Sequence, residues 1–495
     1  MASEMGNKTS ISLLQRHFKK LNVQIISKIA TKGQDFSGLF LFLQKQHCFQ
    51  SNQPMKKHFF TLVGVCFLAT TLYSQKTLIH CGNLIDAVKS ESQSQMTVVV
   101  EGKKIVAIEK GFSSPSGTDK VIDLKSQTVM PGLVDMHVHL ENETSKGGEM
   151  KRYQQNQADV AFDAAKYAKT TLMAGFTGVR DMGGSGVNIA LRNAINKGTV
   201  IGPRIFTSGR TISTTGGHGD PSNGLAEKYT LDNEYLTGVV NGVNECRQAV
   251  RQRYKEGSDC IKITATGGVL SIAKSGKAPQ FTEEEIRAIV ETAKDYGFHV
   301  AAHAHGAEGI KRAVRGGVTT IEHGTFLDDE GIDLMKKYGT YLVPTIIAGK
   351  TTADSAKIPG YYHPLVVPKA LETGPIIQAT FAKAYKAGVK IAFGTDSGVS
   401  IHGYNAYEFQ YMVDAGMPAM EAIKAATIIP AEIMGNQKEL GTIEIGKIAD
   451  IIATDGNPLQ DIKVMRKVCF VMKDGVIYKQ SETQTEFKTQ SALKH

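Results

Sequence analysis

The sequence predicts an α/β protein in which a (β/α)8 barrel of the TIM type carries a small β-sandwich domain formed from both chain ends. Between residues 131 and 434, short apolar segments alternate with amphipathic segments of helical period, and glycine-rich polar turns separate them. The flanking residues 76–130 and 435–482 instead alternate polar and apolar side chains, with turns at glycine. Strands that alternate with helices favour a parallel barrel, and strands from both chain ends can pair into a separate β domain.

Eight segments of the barrel region have the length and composition of buried strands. Helical spacing between them is clearest after Thr282, where Glu285 completes a capping box and apolar residues follow three and four positions apart. The predicted strands are 133–140, 177–182, 204–208, 260–265, 300–304, 319–322, 341–346 and 390–393. Reactive residues of such barrels lie at the C-terminal ends of the strands, so polar residues there are the candidates for chemistry.

The first 75 residues differ from the rest of the chain. Residues 55–75 begin with a methionine and two lysines, continue through an apolar stretch too short to span a bilayer comfortably, and reach Ser74. This is the layout of a cleavable secretory signal peptide, although the same stretch could serve uncleaved as a membrane anchor. Because the segment starts at a methionine, residues 1–54 could be an untranslated or disordered extension. We expect export through this signal peptide without a stable membrane anchor, and a periplasmic or extracellular location if the protein is bacterial.

Charge and cysteine content narrow the function classes. The net charge is +9, but residues 1–75 hold nine basic against two acidic residues, so the body of the chain is almost neutral and offers no surface for nucleic acid. The four cysteines after residue 75 form neither a CxxC pair nor a dense framework. This spacing indicates neither a disulfide scaffold nor a cysteine zinc site. Residues 483–495 are polar and predict a loose tail.

Side chains of metal-ligand type fall at the ends of five predicted strands. They are His137, His139, Lys262, His303, His305, His323 and Asp396. His137 and His139 lie two apart on the first strand and therefore point to the same face. One such pair is a weak signal, but a polar residue at each of five strand ends is a strong one, because every desolvated polar group needs a partner. The pattern predicts a metal centre inside the mouth of the barrel.

Several motifs resemble those of a known family. The segments PGLVDMHVH (131–139), GTD (394–396) and GTIEIGKIAD (441–450) are similar to signatures of the metal-dependent amidohydrolase superfamily. The resemblance runs from about residue 78 to 480. Within the superfamily, IKITATGG (261–268), AHAHG (302–306) and IEHG (321–324) are most similar to the imidazolonepropionase-like branch. That branch contains Xaa-Pro dipeptidases, Xaa-Arg/Lys carboxypeptidases and ochratoxin-cleaving amidases.

The resemblance implies two divalent metal ions, most simply zinc, although manganese or cobalt also suits histidine and carboxylate ligands. His137, His139 and Asp396 would hold one ion, and His303 and His323 the other. Lys262 would bridge the two as an N6-carboxylated lysine. A lysine that only forms a salt bridge beside the barrel wall is the alternative for Lys262.

The resemblance also implies catalytic roles. Asp396 would act as general acid and base, taking a proton from the attacking water and delivering it to the leaving amine. His305 would bind substrate or assist catalysis, with a hydrogen-bonding role behind the ligands as the alternative. His218, in TGGHGD (215–220), would meet the substrate, or else cap its loop. Tyr404 is a substrate-binding candidate after the eighth strand.

Four further residues have weaker claims. His402 and Glu408 follow the eighth strand near Tyr404, and all three could equally be ordinary surface residues. Arg180 and Asp181 end the second predicted strand, where we expect them to form a structural pair.

The leading hypothesis is a metal-dependent hydrolase that cleaves the amide bond of a dipeptide-like or N-acyl amino acid substrate. The alternatives are a cyclic-amide hydrolase of the imidazolonepropionase type, a deaminase with one metal, and a non-catalytic scaffold. Such deaminases carry a glutamate beside the fifth-strand histidine, where this chain has His305, and a scaffold should have lost ligands that this chain retains. We expect a small-molecule substrate, and the resemblance implies a homo-oligomer.

Overall fold

The computed structural model describes residues 75–226 and 238–480. The expected extension 1–54, the signal peptide 55–75 apart from its last residue, and the tail 483–495 lie outside the described residues. Within the described ranges, no helix has the length and apolar character that crossing a membrane requires.

The described chain contains a set of strands followed by alternating strands and helices. The strands are β1 (Lys76–Leu84), β2 (Gln93–Glu101), β3 (Lys104–Lys110), β4 (Lys120–Pro131), β5 (Leu133–Val138), β6 (Phe176–Asp181), β7 (Arg204–Thr207), β8 (Ile261–Thr264), β9 (Val300–Ala304), β10 (Thr320–His323), β11 (Tyr341–Val343), β12 (Ile451–Asp455), β13 (Val468–Lys473) and β14 (Val476–Gln480). The α-helices are α1 (Lys151–Gln154), α2 (Gln157–Met173), α3 (Val187–Asn196), α4 (Gly242–Glu256), α5 (Glu283–Asp295), α6 (Ala307–Gly316), α7 (Asp329–Tyr338), α8 (Ile346–Ala356), α9 (Val367–Lys386), α10 (Tyr407–Asp414), α11 (Ala419–Ala425) and α12 (Ile428–Ile433). Short 3-10 helices span Gly148–Met150 and Ile462–Arg466.

Strands from both chain ends form one seven-stranded sheet. Its order is β14-β13-β12-β4-β1-β2-β3, so β4 joins the N-terminal strands to the C-terminal ones. The sheet folds over on itself, because Lys104 at the β3 edge pairs with Ile448 just before β12. The two halves enclose a core that includes Ile79, Val98 and Phe470. The predicted β domain built from both ends is confirmed.

The remaining strands form a parallel barrel. Strands β5–β6–β7 make one sheet and β8–β9–β10–β11 another. Isolated parallel pairs, Ile212 with Ile263, Leu342 with Ile391 and Val138 with Ser397, join the sheets into a closed ring. The alternating pattern of buried strands and amphipathic helices therefore gives the predicted barrel, and Thr282 begins α5 with the predicted capping box.

The eighth predicted strand is reduced to a short irregular segment. Of residues 390–393, only Ile391 makes a strand-like pair. Ala392 donates to Leu342 of β11, Phe393 accepts from Met136 of β5, and the Phe393 amide donates instead to the carbonyl of Ala425. Because its hydrogen bonds are divided among three partners, the segment closes the barrel without forming a continuous ladder.

Candidate active site

A cavity of about 160 Å³ opens at the C-terminal ends of the barrel strands. Its lining contains every metal ligand that the sequence predicts: His137, His139, Lys262, His303, His323 and Asp396. It also contains the two candidates for substrate contact His218 and His305. The rest of the wall is mostly apolar or hydroxylated and includes Val269, Leu270, Ala348, Gly349, Thr352, Thr373, Ile377 and Val399. The strand ends therefore bring the predicted residues into one space.

The side chains at the first, fourth and eighth strand ends lie close together. The Oδ1 of Asp396 lies 3.5 Å from Nε2 of His137 and 3.3 Å from Nε2 of His139. The Nζ of Lys262 lies 3.3 Å from the same Nε2 of His137. These separations place one carboxylate oxygen, two imidazole nitrogens and an amine around a common point.

Two groups of three residues have ligand atoms within 4.8 Å of one another. One group is His303, His305 and His323, and the other is His137, His323 and Asp396. His323 belongs to both, and its ring centroid lies 4.7 Å from that of His303 and 5.1 Å from that of His137. His305 thus belongs to a group that could hold a metal ion and also lines the cavity.

Most of these imidazoles have one ring nitrogen tied to the protein. The contacts are His137 Nδ1 with Glu322 at 2.7 Å, His139 Nδ1 with the Gly183 carbonyl at 2.9 Å, His305 Nδ1 with Thr325 at 2.8 Å, and His323 Nδ1 with Thr345 at 2.7 Å. Such contacts fix the ring orientation and leave the other nitrogen as the ligand atom. His303 differs, because its Nε2 faces the Gly267 carbonyl at 3.1 Å.

Backbone strain accompanies the site. His323, Thr345 and Asp396 have φ angles of 73°, 50° and 55°, in the left-handed region that favours glycine. Adjacent residues on a strand normally point to opposite faces. The left-handed turn at His323 lets this residue and the preceding Glu322 both face the barrel interior.

Glu322 is a functional residue that the sequence analysis missed. It is fully buried, accepts from Arg180 at 2.8 Å and holds the ring of His137. Arg180 also donates to the Met136 carbonyl, whereas Asp181 accepts from the Leu140 amide. Both residues are fully buried and make structural contacts, as expected, but each bonds to a different part of the barrel, because neighbouring strand residues face opposite ways. The IEHG motif was the available signal for Glu322.

Burial sets the protonation of the cluster. It lowers the pKa of Lys262 to about 8, against the raising effects of Glu322 and Asp396. Burial and the Lys262 charge also lower the pKa of His137 to about 4. Burial alone would raise the pKa of Asp396, but His137 and His139 hold it below its ordinary value. Burial alone would lower the pKa of His139, but Asp396 raises it above its ordinary value. The neutral form of His137 and the ionised form of Asp396 are those that bind a divalent transition metal.

Of the weaker candidates His218, Tyr404 and His402, only His218 lies in the cavity lining. His218 has its ring centroid 4.3 Å from that of His303, and its Nδ1 has no hydrogen-bond partner in the described part of the chain. Tyr404 is 51% exposed and is not part of the cavity lining, so the structure does not bring it to the site. His402 is buried, bonded to the Asn142 carbonyl and stacked on Tyr167.

Glu408 is a buried helix cap rather than a surface residue. Its carboxylate accepts from the backbone amides of Ile346 and Ile347, each at 2.8 Å, at the start of α8. Burial raises the pKa of Glu408 to about 8, although the two amides act in the opposite direction. The residue therefore positions a helix whose first turns line the cavity.

Comparison with known proteins agrees with this geometry. Residues 128–478 match the amidohydrolase family. Ochratoxinase from Aspergillus niger is 33% identical over 448 residues, which cover 83% of this chain and 88% of that protein. A solved Xaa-Pro dipeptidase with methionine bound in its active site is 52% identical, with a TM-score of 0.79, over 82% of this chain and all of that one.

A solved prolidase in complex with N-methylphosphonate-L-proline is 34% identical, with a TM-score of 0.76 and the same coverage of both chains. The family match spans well over half of the sequence and includes both the barrel and the C-terminal strands. Together with the cavity at the strand ends, these matches confirm the resemblance seen in the motifs: the chain belongs to the amidohydrolase family and is a hydrolase that acts on carbon–nitrogen bonds.

Proposed function

We propose that this hydrolase cleaves the amide bond of a dipeptide-like or N-acyl amino acid substrate with the help of two metal ions. The observation that carries the proposal is the single cavity in which all six predicted ligands meet, beside a wall of apolar and small side chains. A hydrolytic centre next to an apolar pocket suits the release of an amino acid with an uncharged side chain.

The relatives support this choice of substrate. One is a Xaa-Pro dipeptidase with bound methionine, and another is a prolidase bound to a phosphonate derivative of proline. Ochratoxinase is a third relative, at lower identity. The peptidase relatives favour a leaving group that is an amino acid over a cyclic amide or a base to be deaminated.

The donor set fits divalent metal ions. The buried Oδ1 of Asp396 has no hydrogen-bond partner among the described residues, although two imidazole nitrogens lie within 3.5 Å of it. Ligand atoms arranged around a shared cation have this geometry. His137, His139 and Asp396 would hold one ion, and His303 and His323 the other, with His305 beside them. When bound, the ions polarise the scissile carbonyl and lower the pKa of water.

Lys262 is suited to carboxylation. Burial lowers the pKa of its amine to about 8, so a usable fraction is neutral near pH 7 and can add CO2. The resulting carboxylate would stand beside His137, where the amine now lies 3.3 Å from the ring nitrogen. We therefore propose that Lys262, once N6-carboxylated, would be a ligand shared by the two metal ions.

Asp396 and His218 would perform the proton transfer and binding steps. The low pKa of Asp396 keeps it ionised near neutral pH, so the carboxylate oxygen that does not bind a metal ion would accept the proton of the attacking water and return it to the leaving amine. His218 lines the cavity with an unpartnered ring nitrogen and would bind the substrate carbonyl or carboxylate. His305, whose ring centroid lies 4.7 Å from that of His303, also lines the cavity and would contact the substrate.

The test combines metal analysis with a substrate panel, using protein that begins at Lys76. We expect about two zinc ions per chain and hydrolysis of at least one Xaa-Pro, Xaa-Arg or N-acyl amino acid substrate. The Lys262→Ala and Asp396→Asn variants should lose activity. Matched controls are Lys357→Ala and Asp354→Asn, since these two residues form an exposed ion pair. One metal or none, with no amide cleaved, would remove the two-metal peptidase from consideration.

We also propose export and self-association. The charged, apolar and small residues of 55–75 support cleavage near residue 75, which N-terminal sequencing of the secreted protein would test. A homo-oligomer is tested by light scattering coupled to size-exclusion chromatography, where a monomer mass would contradict it.

A further inference from the structure

A second cavity of about 310 Å³ adjoins the candidate active site. Two residues, His218 and Leu270, line both cavities. The outer wall is polar and aromatic and includes Asn142, Glu143, Lys151, Asp220, Tyr361 and His363. The inner cavity holds the ligand-type side chains and the apolar pocket, so the two spaces differ in chemistry and meet at His218 and Leu270.

The segment 268–271, which carries Leu270, packs tightly against His218. A Cβ atom at Gly268 would lie 2.2 Å from Cε1 of the His218 ring, so only glycine permits this approach. The His218 ring in turn lies 4.3 Å from that of His303, measured between centroids. The position of this segment is thereby coupled, through His218, to His303, one of the candidate metal ligands.

Lys369 holds the same segment from the other side. It is only 8% exposed, and its Nζ donates to the carbonyls of Gly268 and Ser271 at 2.9 and 2.7 Å. These two carbonyls bracket the two residues, Val269 and Leu270, that reach into the inner cavity. One ammonium group thus fixes both ends of the short segment.

Helix α9 links this contact to the substrate pocket. Lys369, Thr373 and Ile377 follow one another at intervals of four residues, so they lie on one face of the helix. Thr373 and Ile377 line the inner cavity. The same helix face therefore builds part of the pocket and anchors the segment that bounds it.

We propose that the outer cavity is a second substrate subsite, that His218 and Leu270 form the partition between it and the inner cavity, and that Lys369 is the positioning residue that holds this partition. The inference rests on the proposed function. The inner cavity would take the released amino acid. The larger outer cavity, with its polar groups, would take the backbone of an acyl portion longer than one residue, so the substrate class extends to short peptides beyond dipeptides.

The test compares a dipeptide with a tripeptide that shares its leaving amino acid. A tripeptide must cross the partition, whereas a dipeptide is held mainly inside it. In Lys369→Met, we expect kcat/KM for the tripeptide to fall about tenfold more than for the dipeptide, chiefly through KM. Lys369→Arg should keep the ratio within about threefold of wild type, because it retains a charged donor. The exposed Lys357→Met serves as the control.

Two further measurements separate this role from a general loss of structure. Leu270→Ala removes a side chain that lines both cavities and would contact a peptide spanning them, without touching Lys369, so it should shift the substrate ratio in the same direction. Hydrogen exchange over residues 266–280 should be faster in Lys369→Met than in wild type, with metal content unchanged. Exchange needs no substrate, so it tests the anchoring role even if the proposed function fails.

The outcomes are distinct. Unchanged exchange in Lys369→Met would overturn the anchoring role of Lys369. Faster exchange with an unchanged substrate ratio in both variants would overturn the second subsite. Failure of the wild-type protein to cleave any amide would remove the subsite together with the proposed function, and the exchange result would still decide whether Lys369 holds the segment.

Discussion

The Glu322→Gln variant tests whether the buried ion pair beneath the cavity supports the site. Glu322 and Arg180 are both fully buried and lie 2.8 Å apart, and Glu322 also fixes His137 through a 2.7 Å contact. The substitution keeps the shape of the side chain and removes its charge. Arg180 then remains buried without a counter-charge, because its other partners are the Met136 carbonyl and a threonine hydroxyl.

The magnitude follows from the cost of an uncompensated buried charge. Breaking a buried pair by neutralising one partner typically destabilises a protein by about 3–5 kcal/mol. The amide oxygen of glutamine can still accept from Arg180, so we expect the lower end, about 3 kcal/mol. Loss of the group that orients His137 should weaken metal affinity by about 10–100-fold.

The assay is urea unfolding of metal-free protein, followed by metal titration of the folded variant. Glu439→Gln is the control, because Glu439 is exposed and makes only a 3.7 Å ion pair with Lys104. It should change the free energy of unfolding by less than about 0.5 kcal/mol. A Glu322→Gln protein as stable as this control, with wild-type metal affinity, would refute the reasoning.

Three other perturbations have defined expectations. Gly268→Ala should reduce kcat/KM at least about tenfold by displacing His218, whereas Gly276→Ala, where the nearest atom would lie 3.4 Å from the new Cβ, should be nearly silent. The pKa of Glu408 is raised to about 8 from an ordinary 4.5, so its contribution to stability is fully present below pH 4.5 and is lost as pH rises to 8. Relative to Glu408→Gln, the wild-type free energy of unfolding should therefore fall by several kcal/mol over that window; a constant difference would contradict the raised pKa. Chelation should abolish activity and lower Tm by at least a few degrees, with recovery on adding zinc; a Tm insensitive to chelator would contradict a metal bound only by the folded state.

The fold was predictable because its signals are local. Each barrel strand is a short buried run, and the helix after Thr282 begins at its capping box, so neighbouring residues suffice to place them. The eighth segment is different. Its irregularity arises because the Phe393 amide donates to the Ala425 carbonyl instead of to a neighbouring strand. Because the two residues are 32 positions apart, the sequence around residue 393 does not indicate this hydrogen bond.

The site residues were predictable where a side chain of metal-ligand type lies at the end of a predicted strand. His137 and Asp396 were found in this way, and the structure places both in the cavity. Glu322 was missed because strand alternation assigns only one of two adjacent residues to the interior. Tyr404 was chosen for its closeness to the eighth strand in sequence, but the direction of a loop depends on packing, and its side chain points to solvent.

The strained residues explain how the cluster is held together. Left-handed backbone at a non-glycine residue costs about 1–3 kcal/mol and persists only where the surroundings fix it. Asp396 is fixed by its amide, which donates to the His137 carbonyl at 2.6 Å, and His323 by its contact with Thr345. In each case the residue that supplies the constraint also lines the cavity. The contacts that maintain the strain therefore also orient the candidate metal-binding atoms. This is expected where the direction of these atoms matters more than the stability of the strand ends.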